Sequence, residues 1–318
     1  MENTRIMAIT GGVGGAKLSL GLARLLGHRD LAFVVNTADD FEHLGFHISP
    51  DIDTLIYTLS GVCNTDTGWG RSDESWQFMQ ALEAIGGETW FALGDQDLAT
   101  HVERRRLIKA GLSMGELTAS LTKSFGVKHA IFPMSNEPVR TRVLTDRGPL
   151  DFQHYFVREK CEPVVTGFEF EGAAQAQLNP DIADWLTSPG LGGVILCPSN
   201  PYVSIDPILS VPGLRGLLRA CRAPVIAVSP VVGGAAIKGP TVKMMQELGI
   251  PNTADSVASH YADFLDGFVL DIEDGGLVTA VENLGMAVTV TQTVMRSLDD
   301  RIDLGRKCLD FIDQLARR

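Results

Sequence analysis

The residues best suited to chemistry fall in the first sixty positions, in two patches. Gly11, Gly12, Gly14 and Gly15 follow an apolar run at Arg5–Thr10, and Leu18, Leu22, Leu25 and Leu26 then recur at helical spacing. Strand, glycine loop and helix in that order make an anion site. Glycine lets the backbone approach a ligand, and the first amides of a helix point outward at the positive end of its dipole. Gly12-x-Gly14-x-x-Lys17 lacks the third glycine of a dinucleotide fingerprint, and Lys17 lacks the glycine spacing and Ser/Thr of a P-loop. Lys17 is either a phosphate contact or a solvated helix lysine.

The second patch is acidic. An apolar run at Leu31–Asn36 ends in Thr37, Asp39 and Asp40, and Pro50 precedes Asp51 and Asp53. Carboxylates gathered beside a phosphate site hold Mg2+, which combines a few protein oxygens with waters and phosphate oxygens. The plain alternative makes Asp51 a first-turn helix residue and Asp39 or Asp40 a turn former. His43 and His47 stand at zinc-ligand spacing but lack a supporting Glu motif. Downstream, Gly94–His101 (GDQDLATH) reads as a helix start with Asp95 or Asp97 as cap, and His101 falls on the same face as Asp97. Asn200 in Ser199-Asn200-Pro201 is suited to a purine edge, and Gly233-Gly234 with Lys238 to a phosphate. Plain turns account for both equally well.

These residues need elements that bring them to one edge. Apolar runs at Arg5–Thr10, Leu31–Asn36, His129–Met134, Gly193–Cys197, Val225–Val228 and Gly267–Leu270 read as strands buried on both faces. Helical patterns lie between them, at 51–60, 74–85, 98–110, 113–125 and finally 298–316. The sum is a three-layer, Rossmann-like α/β fold with a mainly parallel sheet, in which ligands bind beyond the carboxyl ends of the strands. Trp90–Leu93 reads as a further short buried strand and Val62–Asp73 as a loop. From about 138 to 180 apolar and polar residues alternate, the mark of a small inserted antiparallel β region within a single α/β domain spanning 1–318.

A net charge of −12 argues against a general nucleic-acid binder, so an anionic ligand must be met locally. The five cysteines are scattered without a Cys-x-x-Cys pair, which argues against structural zinc or a disulfide framework. No apolar stretch reaches the roughly 18 residues of a membrane helix, and the N-terminus leads straight into a strand; the chain is expected to be soluble and cytoplasmic, with no membrane partner.

GGVGGAK, VVNTADD, SPDIDT, LGDQDLATH, PSNP and SPVVGG with KGP occur in order between Gly11 and about Asp271. Together they resemble the 2-phospho-L-lactate transferase family of coenzyme F420 biosynthesis. The resemblance implies transfer of a phospho-hydroxyacid from a guanylylated donor (lactyl-diphosphoguanosine or a phosphoenolpyruvate or glycerate relative) to the deazaflavin Fo, with GMP released, Mg2+ as cofactor and a homodimer. Position by position, it implies Asp53 at the acceptor as the catalytic carboxylate, and Asp40 with Asp51 or Asp53 as metal ligands. Gly12, Gly14 and Gly15 would face the donor phosphates, with Lys17, Gly233, Gly234 and Lys238 as further candidates. Ser199 and Asn200 would lie near the guanine, and Asn36, Thr37, Asp95, Gln96 and Thr100 on the deazaflavin side. Gln96 departs from the basic residue common between the two aspartates of GD-x-D, and SNEP at Ser135–Pro138 from a doubly acidic version. The competing readings are a related nucleotide-sugar-binding regulatory protein and an NAD(P)-dependent oxidoreductase; PDIDT with GDQDLATH disfavours the first and the broken fingerprint the second.

Overall fold

The structure, a computed structural model, describes residues 5–236 and 239–317. Strand β1 (Arg5–Thr10) runs through the glycine loop into α1 (Gly12–Leu25), β2 (Leu31–Val35), a hairpin of β3 (Phe41–His43) and β4 (Phe46–Ile48), and α2 (Pro50–Ser60). Helices α3 (Gln77–Ala84), α4 (Asp95–Lys109) and α5 (Met114–Ser124) lead to β5 (Ala130–Pro133). Strands β6 (Arg140–Thr145), β7 (Gly148–Asp151) and β8 (Val165–Glu171) form a separate antiparallel sheet in the order β7-β6-β8, within the stretch of alternating residues. The chain returns through α6 (Pro180–Leu186), β9 (Leu191–Leu196), α7 (Asp206–Ser210), α8 (Leu214–Arg219) and β10 (Val225–Val228) to a hairpin of β11 (Val231–Val232) and β12 (Ala235–Ala236). Helices α9 (Thr241–Glu247) and α10 (Ala254–His260), β13 (Gly267–Asp271), α11 (Val278–Glu282), β14 (Ala287–Thr291) and α12 (Leu298–Ala316) complete it.

Seven parallel strands make the main sheet in the order β14-β13-β10-β9-β1-β2-β5. Central β1 is buried on both faces. Met7 and Ile9 pack into one core with Leu196, Ile205 and Phe268, while Ile6 and Ala8 pack into the other with Leu18, Phe33 and Phe311. That two-sided burial is why the strands read as unbroken apolar runs rather than as alternation. Helices α1 and α12 cover the second face and meet backbone to backbone, since a Cβ at Gly21 would stand 2.0 Å from the Arg301 carbonyl oxygen.

Four differences from the sequence reading bear on the sheet and the site. Trp90–Leu93 is not a strand: the Trp90 and Phe91 rings pack on Phe41 and His43, with centroids 4.8 Å apart for Phe41–Phe91 and 5.1 Å for His43–Trp90, and that stretch pairs with no strand. The helix expected from residue 74 begins at Gln77, because Glu74 turns away to cap α4, its carboxylate accepting from Gln96 N–H and Asp97 N–H, both at 2.8 Å. The β3–β4 hairpin was not foreseen; its two turn residues, Leu44 and Gly45, both have positive φ, and the leucine in a left-handed position hides the turn signal. Nor was the edge strand β14, which pairs with β13 alone.

The contact between α1 and α12 supplies a test of the packing. Alanine at position 21 favours a helix by about 1 kcal/mol, but its methyl group has only backbone to displace. Gly21→Ala is expected to lower the unfolding free energy by roughly 1–2 kcal/mol net, measured by urea denaturation; a gain would mean that the two helices separate freely.

Candidate functional site

From β1 the sheet grows toward β2 on one side and β9 on the other, so the loops after β1 and β9 part and leave a crevice at the strand ends. The loops touch at its floor. Gly11 N–H donates to Ser199 Oγ at 3.2 Å, and a Cβ at Gly14 would stand 2.4 Å from the Pro198 carbonyl oxygen. One at Gly15 would stand 2.1 Å from Thr10 Oγ1 and 2.7 Å from Ser199 Oγ. Gly14 and Gly15 are thus glycines because the loops are pressed together. Gly12 differs: its φ is +65° and nothing lies within 4 Å of where its Cβ would be. Helix α1 has no side-chain cap at Gly11 and no acid in its own first turn; the acid comes from α2, where Asp51 Oδ1 accepts Gly12 N–H at 2.8 Å.

Pro50 starts α2 and sets Asp51 and Asp53 in its first turn, where carboxylates suit the helix dipole. Asp39, Asp40, Asp51 and Asp53 are all buried, and their partners differ. Asp40 accepts from His47 Nε2 at 3.0 Å and Ser49 Oγ at 2.8 Å. Burial pulls the His47 imidazole down, but Asp40's hydrogen bond and charge lift it above the ordinary histidine value. Asp53 Oδ1 pairs with the buried guanidinium of Arg104, yet burial outweighs that cation and holds the carboxyl above the usual range. Asp51 Oδ2 accepts from Asn36 Nδ2 at 3.1 Å; burial pushes it up to about 6 against these hydrogen bonds. Asp39 is raised well above its ordinary value by burial and then by the charges of Asp51 and Asp40, and its Oδ1 has no hydrogen-bond partner among the described residues.

Beside these acids lies a cavity of about 570 Å³. Gly12, Gly14, Lys17, Asp51, Asp53, Ser199 and Asn200 line it. Lys17 Nζ donates to the Met295 carbonyl at 3.3 Å, and Asn200 Oδ1 accepts from Tyr202 N–H at 2.9 Å. Gly15, Asn36, Thr37, Thr100, Asp95 and Gln96 lie off the wall. Asn36 is instead the buried clamp of Asp51, and Thr100 Oγ1 sits 2.8 Å from the Tyr57 hydroxyl. Asp40 is turned to the β3–β4 hairpin, and the wall position goes to Asp39. Gly233 and Gly234 form the β11–β12 turn, both with positive φ, and lie off the wall as well; Lys238 lies outside the described residues. Sequence reasoning missed the aromatic side of the cavity: Tyr57, Trp69, Trp90, Phe91, Phe152 and Phe156. It also missed Arg104. Asp97, His101 and Arg104 recur at helical i, i+4 and i+7 spacing, which was the available signal.

Among the described residues no three His, Cys, Asp or Glu side chains gather into a metal cage. His43 packs edge-to-face in the aromatic cluster and His47 bonds Asp40 and Glu42, so they form no zinc site. Asp39 and Asp51 do suit Mg2+, which takes one or two carboxylates and completes its shell with water and phosphate oxygens. The partnerless Asp39 Oδ1 and the repulsion between the two carboxyls mark where such a cation would be stabilising.

Fold and crevice place the protein in the class of Rossmann-like α/β proteins with a ligand cavity at the switch point of a parallel sheet. The model of the family 2-phospho-L-lactate transferase CofD matches residues 6–298, and the chain belongs to that family. It is 36% identical over 299 residues to the 2-phospho-L-lactate transferase of Methanosarcina mazei, covering 94% of this chain and 97% of that one. It is 35% identical over 317 residues to the phosphoenolpyruvate transferase of Streptomyces avermitilis, covering 98% and 99%. A crystal structure of a UPF0052 family member from Bacillus halodurans shares the fold, with a TM-score of 0.63 at 13% identity over 97% of this chain and 100% of that one. The protein is accordingly a transferase of the family that serves coenzyme F420 biosynthesis. No described helix is long and apolar enough to cross a membrane.

The Asp51 environment has a sign that can be measured. Its folded-state pKa lies above the unfolded value of about 3.9, so folding favours the protonated form. Stability from this group is therefore complete below that unfolded value and declines as pH rises toward about 6. Asp51→Asn removes the decline. Between pH 4 and 7 the unfolding free energy of the ligand-free variant should gain roughly 2–3 kcal/mol relative to the unsubstituted protein, measured by urea unfolding at both pH values. A constant difference would show that Asp51 titrates normally.

Proposed function

We propose that the protein transfers a phospho-hydroxyacid, 2-phospho-L-lactate or its phosphoenolpyruvate or 3-phosphoglycerate counterpart, from a guanosine-diphosphate-linked donor to the deazaflavin Fo, releasing GMP and forming F420-0 or a relative. The observation that carries this reading is one cavity that joins a glycine loop at a helix N-terminus, buried carboxylates and an aromatic wall. Anionic diphosphate suits the first, a planar deazaflavin the last, and the acids stand where the two meet. Relatives with different phospho-hydroxyacids in their names leave the transferred acid as a class. The enzyme is read as cytoplasmic, which agrees with the lack of a membrane-spanning helix among the described residues, and as a homodimer on family resemblance.

In the reaction, the acceptor hydroxyl oxygen bonds to the phosphorus that carries the hydroxyacid. The bond from that phosphorus to the bridging oxygen breaks, and GMP leaves with the electron pair. Transfers of this kind are catalysed chiefly by positioning and by neutralising charge. Mg2+ held by Asp39 and Asp51 would supply charge neutralisation at the donor diphosphate. The first turn of α1 and Ser199 hold and orient the donor, and the aromatic wall keeps water from the acceptor. Asp53 takes the hydroxyl proton. Its Oδ2 is buried without a hydrogen-bond partner, and its raised pKa improves it as a base.

Incubation with Fo, Mg2+ and each candidate donor should yield, with one donor at least, a product whose mass is Fo plus the phospho-hydroxyacid, together with GMP. No such mass with any donor would overturn the reading. Asp53→Asn should lower kcat by about 10²–10⁴-fold while circular dichroism shows the fold retained; near-normal turnover in a folded variant would remove Asp53 from the chemistry.

A further inference from the structure

The cation beside Asp53 has a second partner, and the two partners are linked through it. Arg104 is the first of three consecutive arginines, yet it is 0% exposed while Arg106 lies at the surface on Glu103. Its guanidinium reaches Asp53 Oδ1, His101 Nδ1 at 3.0 Å and the His47 carbonyl at 3.3 Å. A guanidinium has donors and no acceptor. His101 Nδ1 must therefore accept, and the ring's proton must sit on Nε2. That nitrogen is buried and makes no hydrogen bond among the described residues; it lies 3.3 Å from Asp97 Oδ2 without the alignment a bond requires. Asp53 Oδ2 is buried and has no hydrogen-bond partner among the described residues, and both His101 and Asp53 line the cavity. One buried cation thus leaves an unpartnered acceptor on Asp53 and, on His101, an Nε2–H that faces the Asp97 carboxylate at 3.3 Å without closing a well-aligned bond to it.

We infer that Arg104 is a positioning residue: by holding Asp53 through Oδ1 and His101 through Nδ1 it sets a carboxylate acceptor and an imidazole Nε2–H donor as a matched pair for the hydroxyl of the acceptor substrate. A hydroxyl donates one hydrogen bond and accepts up to two. It gives its proton to Asp53 Oδ2, accepts from His101 on one lone pair and keeps the other for attack at phosphorus. Arginine is required because its planar fork serves two partners at fixed angles, while a lysine ammonium is a single point charge on a flexible stem. The inference rests on the hydroxyl-acceptor reading above, but its first test does not.

That test is nitrogen-15 NMR of the histidine rings in the ligand-free protein, with the His101 signals assigned by their loss in His101→Gln. The unsubstituted protein should show the His101 ring proton on Nε2. Arg104→Lys, with a fold retained by circular dichroism, should shift the ring to a mixture or to the Nδ1–H form. With Fo as acceptor, Arg104→Lys should raise the acceptor KM roughly 10- to 100-fold and leave the donor KM within about twofold. His101→Gln, whose amide N–H can stand in for Nε2–H, should retain acceptor binding that His101→Phe loses. A ring proton on Nδ1 in the unsubstituted protein, or unchanged ring signals and acceptor KM in Arg104→Lys, would overturn the role of Arg104. Should Arg104→Lys fail to fold, the ring state of the unsubstituted protein and the Gln–Phe pair decide the question. Absence of turnover with Fo would refute the transferase reading and leave the ring signals to judge Arg104 separately.

Discussion

Four aspartates buried within a span of 15 residues, Asp39, Asp40, Asp51 and Asp53, are the constraint around which this end of the molecule is arranged. Like charges removed from water repel strongly, and each must be paired, hydrogen-bonded or protonated. Asp40 Oδ2 is held by the β3–β4 hairpin through His47 and by Ser49, and Asp53 Oδ1 by Arg104, reaching across from α4. Asp51 has the Gly12 amide and the Asn36 side chain. Those needs account for a hairpin and a helix packed over the carboxyl end of β2. Left without a hydrogen-bond partner among the described residues are Asp39 Oδ1, Asp40 Oδ1 and Asp53 Oδ2. Two of these three unsatisfied oxygens belong to residues on the cavity wall, where a bound ligand would offset the cost.

The glycine loop follows from the same economy of space. A phosphate-binding loop needs backbone at the ligand, but here backbone also meets backbone at the floor of the crevice, where the Pro198 carbonyl presses on Gly14, while the Thr10 and Ser199 hydroxyls crowd Gly15. Only Gly12 has open space and a left-handed φ. The glycine run is therefore two devices: Gly14 and Gly15 close the switch point of the sheet, and Gly12 keeps its mouth open.

Much of this was legible in the sequence because buried parallel strands leave unbroken apolar runs, although the apolar run at Trp90–Leu93 imitates one without pairing. All six strands proposed for the sheet on that ground lie in it, and the alternating stretch after Pro138 does form a small antiparallel sheet. Strands were missed where the signal was local and mixed. Ala287–Thr291 alternates at an edge, and Phe41–Ile48 turns on a leucine rather than on Asn-Gly. At the site, aspartates announce themselves but not which way they face: Asp39 and Asp40 are neighbours, and only the hairpin that recruits Asp40 leaves Asp39 on the wall. Arg104 was hidden by its company, because a run of charges reads as a solvated face, and the aromatic wall was hidden because its members come from elements far apart in the chain.

The segment Gly94–His101 shows why a motif is better divided than treated as one site. Asp95 does not serve its own helix; its carboxylate accepts from the Gln77 and Phe78 amides of α3, while Glu74 returns to the amides of Gln96 and Asp97. The two helices are thus capped by each other, start against start. Gln96 belongs to that junction, its side-chain amide donating to the Asp73 carbonyl at 2.7 Å, off the cavity wall. Glutamine in place of a basic residue therefore changes the junction rather than the charge inside the cavity. Only the second half of the motif, Asp97 and His101, reaches the cavity, and Arg104 one turn further on brings the buried positive charge to Asp53. A helix anchored so firmly at its first turn can hold a guanidinium in the low-dielectric interior about two and a half turns later, because the groups it must meet cannot drift away from it.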